Sequence, residues 1–539
     1  MKKRLLALLM VTVIGAGLLS ACGGADTTSA QGQVAAEATE TEAAVPEAAG
    51  PVGISDETLV VALPSEPASI VPIVANLDNR GATVARCIYE PLLHTVRETA
   101  EVQEDSLCTI DIVDDMHLRI NIREGVKFHN GAELNADQVM YMFSQGVLGP
   151  AAADRYFVYD YDNFVKEDDY HVLVALTQPW AQAIDLMSLA QFIIPEMSVL
   201  EAAGGVDTMQ QYLENAGTGK YKFKEWVNGE YILVERNDDY WNQDALPYYK
   251  EIKFVFITDG SARGMAVQSG DVDVALDLDI ANYAIYNADP SVEAKVLNSG
   301  NMNILFLNCG EGYACNDEKV RQAISLLLNR DDLRAAANAG LGEIGDTCIS
   351  PISPMWDGKT PEADSVDIEA AKALLAEAGY PDGLKLRMRT MAASVQQDMI
   401  IEELRQGGIE VEYVIAEPAV HFWQGLGIGD YDMHVSAQQC IYYSEPVRCS
   451  DGTQYTYSDT MGGCMYKAED FHEICTRCLT TMDMTERKAA YAELQQYYRD
   501  HYLSYGFYSN VALEVAKNGI EGIKVAGVGE YEVFDAYQQ

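Results

Sequence analysis

The stretch Leu118–Phe143, LRINIREGVKFHNGAELNADQVMYMF, encodes a strand, a turn and a helix in close succession. Apolar and polar residues alternate through Leu118–Ile122, which predicts a β-strand. Asn130-Gly131 is a turn signal, and Asn135 is placed to cap the helix that follows. Gln138, at the third helical position, predicts a capping box with Asn135. The helix then carries an apolar stripe made of Val139, Met142 and Phe143.

Two later stretches combine a helix with a glycine turn. In Gly260–Leu278, GSARGMAVQSGDVDVALDL, the helix and turn precede an apolar alternation that predicts a half-buried strand. The alternating residues are Val272, Val274 and Leu276. In Val366–Gly383, VDIEAAKALLAEAGYPDG, a helix ends at Gly379 and cannot continue through Pro381. Strands that alternate with capped helices predict α/β lobes with mixed sheets.

Three more segments complete the pattern. Asn316 is expected to cap a helix with an apolar face at Val320, Ile324 and Leu327. Upstream lie Gly217–Trp226, GTGKYKFKEW, and Asn237–Trp241, NDDYW. Taken in their order along the chain, all of these segments from Leu118 to Gly383 resemble the signature of the family 5 extracellular solute-binding proteins. Members of that family serve ABC importers of peptides, nickel and related solutes. Gly217–Trp226 departs from that family's G-T-G-P-Y strand entry, because a lysine replaces the proline.

The resemblance extends over Asp56–Gln539 and implies an architecture. It implies an α/β fold of the periplasmic-binding-protein type, with two lobes, mixed sheets, a hinge between the lobes and an extra subdomain inserted in lobe I. Lobe I is expected to comprise residues 56–92, 191–300 and 506–539. The inserted subdomain is expected at 93–190, and lobe II at 301–505.

The N-terminus indicates export. Lys2-Lys3-Arg4 precedes an apolar run that ends in Leu19-Ser20-Ala21-Cys22 and resembles a bacterial lipobox. Residues 1–21 are expected to be a signal peptide, and Cys22 is expected to carry the lipid. Residues 22–55 contain no aromatic and no basic residue, so they are expected to form a disordered acidic stalk. The mature protein is then extracytoplasmic and anchored by lipid to the outer face of the cell membrane.

Charge and cysteine content narrow the function classes. The formal net charge is −45, so a phosphate backbone would be repelled and no nucleic-acid partner is expected. Beside Cys22 the chain contains ten cysteines, in a compartment where disulfides persist. Cys309 with Cys315, and Cys440 with Cys449, are separated by short loops that a disulfide could close. Cys464, His472, Cys475 and Cys478 resemble a zinc site but lack a second C-x-x-C, which favours disulfides or thiols.

The resemblance also implies where a ligand binds. Gly429–Pro446, GDYDMHVSAQQCIYYSEP, is similar to a run in the peptide-binding members where an aspartate holds the peptide's ammonium group. Tyr442 stands in that aspartate's place, and a tyrosine cannot supply the negative charge. The loop Pro64–Ser69 follows an apolar strand and is expected to border the crevice. The expected ligand-binding residues are Ser65, Glu66, Trp423, Gln438, Gln439, Tyr442 and Tyr443.

The sequence therefore predicts a monomeric solute receptor for an oligopeptide, which it delivers to the permease subunits of an ABC importer. A nickel or metallophore receptor and an oligosaccharide receptor are the alternatives within the family. Asp277 and Asp279, near the end of a predicted strand, would share a face and either receive a cation or form an exposed acidic edge. The chain has no G-x-S-x-G, H-E-x-x-H or phosphate-binding glycine loop, so no catalytic residue, metal or cofactor is expected.

Overall fold

The structure is a computed structural model of the 539-residue chain. It describes residues 53–71, 78–94, 102–144, 158–188, 192–193, 195–204, 217–361, 364–390, 393–415, 431–439, 464–525 and 530–539. Residues 51–539 form one compact unit. The signal peptide, Cys22 and nearly all of the stalk predicted from the sequence lie outside the described residues.

Strands and helices alternate along the described chain. The strands are β1 Thr58–Leu63, β2 Cys108–Asp114, β3 His117–Ile122, β4 Val165–Lys166, β5 His171–Ala175, β6 Tyr221–Val227, β7 Tyr231–Arg236, β8 Glu251–Phe256, β9 Val274–Leu278, β10 Val292–Leu307, β11 Leu384–Thr390, β12 Ile409–Ile415, β13 Met433–Gln439, β14 Ser504–Lys517, β15 Ile520–Glu521, β16 Lys524–Val525, β17 Tyr531–Glu532 and β18 Tyr537–Gln538. The α-helices are α1 Asn79–Ile88, α2 Ala136–Met142, α3 Gln182–Leu186, α4 Met197–Ala203, α5 Gly260–Ser269, α6 Tyr283–Asn287, α7 Glu318–Ser325, α8 Arg330–Ala337, α9 Ile368–Glu377, α10 Val395–Gln406, α11 Glu469–Thr480 and α12 Met484–His501.

One large mixed sheet runs through the molecule. Its ten strands are ordered β12-β11-β13-β10-β14-β9-β1-β8-β7-β6. β1 is parallel to both of its neighbours, β8 and β9, whereas β14 is antiparallel to β9 and to β10. A separate antiparallel sheet has the order β2-β3-β5-β4, and two short ribbons pair β15 with β18 and β16 with β17.

The buried side chains form four cores. Core 1 and core 2 cover opposite faces of the β1 region, because Leu59, Val61 and Leu63 belong to core 1 whereas Ala62 belongs to core 2. Core 3 lies on the four-stranded sheet and contains Leu118, Ile120 and Phe143. Core 4 extends from Met302 to Tyr508 around the other end of the large sheet.

Local details confirm part of the sequence analysis. Asn135 caps α2 and accepts hydrogen bonds from the backbone of Asp137 and Gln138. The predicted capping box was wrong. The Gln138 side chain instead donates a hydrogen bond to Glu196 at 3.3 Å and accepts one from the Met197 backbone at 2.9 Å. The cap of α7 is Asp317 rather than Asn316, whose amide donates to the Cys309 carbonyl at 2.7 Å.

The prediction of a half-buried strand at β9 was also wrong. Val274, Ala275 and Leu276 are all buried, so both faces of the strand are covered. The reason is that core 1 covers one face of β9, through Val274 and Leu276, and core 2 covers the other, through Ala275 and Leu278. Within the part of the chain that the structure describes, no helix combines the length and the apolar character needed to span a membrane.

Candidate functional site

Two long strands connect core 4 with the rest of the molecule. β10 contributes Met302–Leu307 to core 4 and Val292 to core 2, and β14 contributes Tyr505 to core 4 and Leu513 to core 2. Between these parts the antiparallel register is irregular: it shifts between Asn298 and Met302 and again before Ile304. We call Asn298–Asn303 of β10, together with Ser509–Val511 of β14, the crossing.

The crossing is polar and is held by side-chain hydrogen bonds. The Ser299 hydroxyl donates to the Asn510 carbonyl at 2.9 Å, and the side chains of Asn303 and Asn510 bond to each other. Gly300 has a φ of 71°, a left-handed conformation that glycine adopts at little cost. A bulged, glycine-containing stretch in two adjacent strands is a place where the backbone can bend without unpacking a core.

On one side of the crossing lie the carboxyl ends of two parallel strands. β1 and β9 are paired in parallel through Val61↔Val274 and Ala62↔Ala275, so the loop after β1 and the end of β9 share one edge of the sheet. We call residues 64–69 and 277–279 the carboxyl edge. Crevices outside the carboxyl ends of parallel strands are common ligand sites in open α/β sheets.

The two predicted residues on the loop after β1 differ in their contacts. Glu66 accepts hydrogen bonds from the Trp226 indole at 2.7 Å and from the Gly229 backbone at 3.1 Å. Its carboxylate therefore ties the loop to the turn between β6 and β7. Ser65 is half-buried and lies two residues beyond the end of β1.

Asp277 lies on the carboxyl edge in an unusual conformation. Its φ is 53°, which an aspartate tolerates better than most residues. Its carboxylate accepts a hydrogen bond from the Tyr531 hydroxyl at 2.9 Å. The side chain is exposed, yet the surrounding protein desolvates the carboxyl and raises its pKa, against the opposing effects of Tyr531, Arg263 and Arg80.

Asp279 takes a different role from Asp277. It begins a short 3-10 helix, Ile280–Asn282, and its carboxylate accepts a hydrogen bond from the Ala281 backbone at 3.0 Å. The backbone of Asp277 is in the left-handed conformation. The alternation of side chains between the two faces of a strand therefore does not continue to Asp279. The two carboxylates therefore have separate partners.

A buried arginine fixes this edge. Arg263 of α5 is 4% exposed and donates to four backbone carbonyls, two after β8 and two in β9. The acceptors are Ile257, Thr258, Leu276 and Asp277. The guanidinium thus links the ends of β8 and β9 across β1. Burial lowers its pKa, an effect that Asp277 and Asp259 oppose.

A second carboxylate lies buried in the same half of the sheet. Glu514 of β14 is 0% exposed, and neither of its carboxylate oxygens has a hydrogen-bond partner. Burial raises its pKa to about 7, while the charge of Lys295 acts in the opposite direction. Lys295 lies opposite it on β10.

On the other side of the crossing lies the end of β13. Gln438 is in register with Met302, and Gln439 with Asn301, so the backbone of both predicted residues borders the crossing. The amide oxygen of Asn301 is buried and accepts no hydrogen bond. The other predicted residues, Trp423, Tyr442 and Tyr443, lie outside the described residues.

Sequence reasoning missed Arg263 and Tyr531. Arg263 bonds only to backbone carbonyls, which leave no mark in the sequence. Tyr531 is more than 250 residues from its partner Asp277 along the chain. The only available signal was an arginine inside an otherwise small-residue helix, GSARGMAVQS.

The remaining chemical candidates are structural. Tyr159 and Tyr161 donate hydrogen bonds to the backbone carbonyls of Ala183 and Met140, respectively. The described cysteines are all free thiols in this structure, so Cys309 and Cys315 are not paired in it, and the Cys309 thiol lies beside Cys464. Among the described residues, no group of three histidine, cysteine, aspartate or glutamate side chains is arranged to hold a metal ion. Cys440 and Cys449 lie outside them.

Comparison with known proteins relates this geometry to a family. The family described as bacterial extracellular solute-binding proteins, family 5 Middle, matches residues 111–450. The chain is 26% identical over 445 residues to the oligopeptide-binding protein AppA of Bacillus subtilis (strain 168), a match that covers 77% of each chain. It is also 26% identical over 335 residues to the glutathione-binding protein GsiB of Salmonella typhi, covering 61% of this chain and 63% of GsiB.

A solved structure confirms the fold class. The chain resembles the ABC transporter-associated periplasmic binding protein DppA from Helicobacter pylori in complex with the peptide STSA, with a TM-score of 0.72 at 21% identity. The similarity covers 89% of this chain and 98% of DppA. The α/β, two-lobed fold predicted from the sequence is therefore confirmed.

Proposed function

Because the chain belongs to the bacterial extracellular solute-binding proteins of family 5, we propose that it captures an oligopeptide between two lobes and delivers it to an ABC importer. The observation that carries this proposal is the crossing, where two adjacent strands pass between cores through a polar, bulged stretch. Two adjacent connections of this kind permit a hinge motion that closes one lobe on the other. The carboxyl edge and the end of β13 lie on either side of that hinge.

A peptide is the ligand class that the relatives support. AppA is an oligopeptide-binding protein, GsiB is a glutathione-binding protein, and the DppA structure contains a peptide. Peptides offer amide donors and acceptors along their length, and an ammonium group at one end. The side-chain amides of Gln438 and Gln439 are suited to the amide groups of a peptide, and the carboxylate of Asp277 is suited to its ammonium group.

Asp277 takes the role that Tyr442 cannot. A desolvated ammonium needs a negative partner, and Tyr442 has none to offer. Asp277 is held at the carboxyl edge by Tyr531 and by the Arg263 bond to its own carbonyl. We therefore assign the ammonium contact to Asp277, with Ser65, Glu66, Trp423, Tyr442 and Tyr443 as further wall residues.

The domain organisation and the membrane attachment are part of the same proposal. Lobe I comprises 56–92, 191–300 and 506–539, the insert 93–190 and lobe II 301–505. Most residues of cores 1, 3 and 4 fall within one of these three parts, and the exceptions are Leu92, Phe192 and Leu479 in core 3 and Phe507 and Tyr508 in core 4. Cys22 carries the lipid, and the acidic segment 22–55 tethers a monomeric receptor outside the cell. Cys22→Ser is expected to release the protein from membranes without changing ligand affinity, and continued sedimentation with membranes would contradict the anchor.

Native mass spectrometry tests the proposal directly. Protein purified from the producing cells without dialysis against denaturant is expected to retain a peptide, seen as a mass increment that disappears after unfolding and refolding. Titration of the refolded protein with glutathione and with a tetrapeptide, followed by thermal unfolding, then measures affinity. At a hundredfold excess over Kd, ligand contributes about 2.7 kcal/mol of stability. A retained sugar or metal chelate, with no response to any peptide, would contradict the peptide assignment.

A further inference from the structure

Core 4 contains an unusual concentration of cysteines. Six of the cysteines that the structure describes belong to it, and none of them is more than 3% exposed. They are Cys309, Cys315, Cys348, Cys464, Cys475 and Cys478. The remaining described cysteines, Cys87 and Cys108, lie in cores 1 and 3 and hydrogen-bond to nearby backbone carbonyls.

Cys309 and Cys464 contact each other through both backbone and side chain. The Cys309 N–H donates to the Cys464 carbonyl at 2.7 Å, and the two thiols are neighbours, while the Cys309 thiol itself donates to the Leu307 carbonyl at 3.3 Å. A backbone hydrogen bond keeps the two backbones close together, and a disulfide requires Cα atoms no more than about 7 Å apart.

The surrounding bonds hold Cys309 in place. Its carbonyl accepts the Asn316 amide at 2.7 Å, so both of its backbone polar groups are fixed. The preceding residue, Asn308, donates to the Tyr431 carbonyl at 2.8 Å. Burial raises the pKa of the Cys309 thiol, and the neighbouring Cys464 raises it further. Because a buried thiol with a raised pKa is a poor nucleophile, oxidation of the pair is expected while the chain folds, before core 4 covers it.

The other thiols are placed less favourably. Cys475 and Cys478 are three residues apart on one helix, α11. Cys475 also interacts with Cys464 and with Cys348. Cys315 lies in the loop that Asn316 fastens to Cys309, and its own thiol is influenced by Asp432 and Arg321.

We propose that Cys309 and Cys464 form a disulfide bond in the mature protein. The proposal depends on the extracytoplasmic location that is part of the proposed function. The co-reactant is the active-site disulfide of an extracytoplasmic thiol–disulfide oxidoreductase. One thiolate of the pair attacks that disulfide, and the second attacks the resulting mixed disulfide. One S–S bond forms between Cys309 and Cys464, one S–S bond of the donor breaks, and the donor leaves with both electrons and both protons as a dithiol.

The bond would fasten a defined part of the receptor. Cys309 follows the end of β10, which passes through the crossing. A covalent link to Cys464 closes a large loop of chain, which restricts the unfolded state.

Peptide mapping of the wild-type protein tests the proposal without any variant. Protein isolated with its anchor from the producing cells is unfolded and alkylated without reductant, then reduced and alkylated with a second reagent. Cys309 and Cys464 are expected to carry only the second label and to appear as one cross-linked peptide before reduction. Cys87 and Cys108 are expected to carry the first label. The first label on Cys309 or Cys464, or a cross-link of Cys464 to another cysteine, would overturn the proposal.

Thermal unfolding gives a second, independent readout. Dithiothreitol is expected to lower the Tm of the wild type by about 5 °C and to leave the Tm of Cys309→Ser unchanged. Cys315→Ser, the matched control, is expected to keep the wild-type response. A reductant-induced shift that persists in Cys309→Ser would refute the assignment. Ligand-induced stabilisation, measured on the same samples, reports on the proposed function separately, because peptide binding does not require the disulfide.

Discussion

The two sides of the crossing are held in different ways. The carboxyl edge depends on side chains: Arg263 donates to four carbonyls, and Tyr531 donates to Asp277. The β13 side depends on the main chain, because β13 is paired with β10 along its length and with β11 at its start. A single substitution can therefore dismantle the first side, whereas the second tolerates side-chain changes as long as its register is kept.

Arg263→Met is expected to have the largest effect. It removes the donor to four buried or half-buried carbonyls and leaves them unpaired, which costs about 4 kcal/mol of unfolding free energy. Urea denaturation measures the loss. Arg405→Met, which removes only an exposed ion pair with Glu402, serves as the control and is expected to match the wild type. Equal stability of both variants would refute the role given to Arg263.

Glu514, which is buried in the same half of the large sheet as the carboxyl edge, allows a second test of this comparison. Its folded pKa of about 7 lies above the ordinary 4.5, so its protonated form is favoured by folding. That contribution is complete below pH 4.5 and is lost as the pH rises through about 7, with a total on the order of 3 kcal/mol. Glu514→Gln is expected to flatten the fall in unfolding free energy between pH 5 and pH 8. An unchanged pH profile in the variant would assign the fall to other groups.

Asp277→Asn separates affinity from stability. Asparagine keeps an acceptor for Tyr531 and tolerates the left-handed backbone, so the Tm is expected to stay near that of the wild type. The affinity for a peptide with a free ammonium group is expected to fall about tenfold, while an N-acetylated peptide is unaffected. Asp279→Asn is the matched control, since Asp279 caps a short helix. Calorimetry in which both peptides lose affinity equally would contradict the ammonium contact.

The smallest effect is expected on the β13 side. Gln438→Ala and Gln439→Ala leave the backbone pairing with β10 intact, so the unfolding free energy is expected to be unchanged. Peptide affinity is expected to fall by about 1 kcal/mol for each lost neutral hydrogen bond. A loss of stability without a loss of affinity would mean that these amides pack inside the protein and do not face the ligand.

The same contrast explains what the sequence predicts and what it does not. Two predictions from local sequence are confirmed: Asn135 caps its helix, and Gly379 follows α9 in a left-handed conformation. Predictions were wrong where a residue far away in the chain makes the competing contact. Gln138 has the spacing of a capping box but binds Glu196, 58 residues away. β9 alternates like a half-buried strand, yet its second face is buried in core 2 with Leu513 and Val515 of β14, about 240 residues later in the chain.

The candidate site likewise contains features that local sequence predicts and features that only distant contacts create. The loop after β1 and the end of β13 were predicted because each follows or forms a recognisable segment. The backbone of β13 ends in register with the crossing, whereas the loop after β1 shares the carboxyl edge with the end of β9. Arg263, Tyr531 and the backbone strain at Asp277 were missed, because each arises only when residues far apart in sequence come together. Family resemblance supplied the two lobes, which residue patterns alone did not imply.

Hinge closure about the crossing is the central claim, and small-angle X-ray scattering tests it most directly. The refolded, ligand-free protein is compared with the same sample saturated with the peptide that native mass spectrometry identifies, with occupancy established by calorimetry. Closure of two lobes about β10 and β14 predicts a smaller radius of gyration and a shorter maximum dimension on binding. Scattering curves that superimpose at full occupancy would contradict the account.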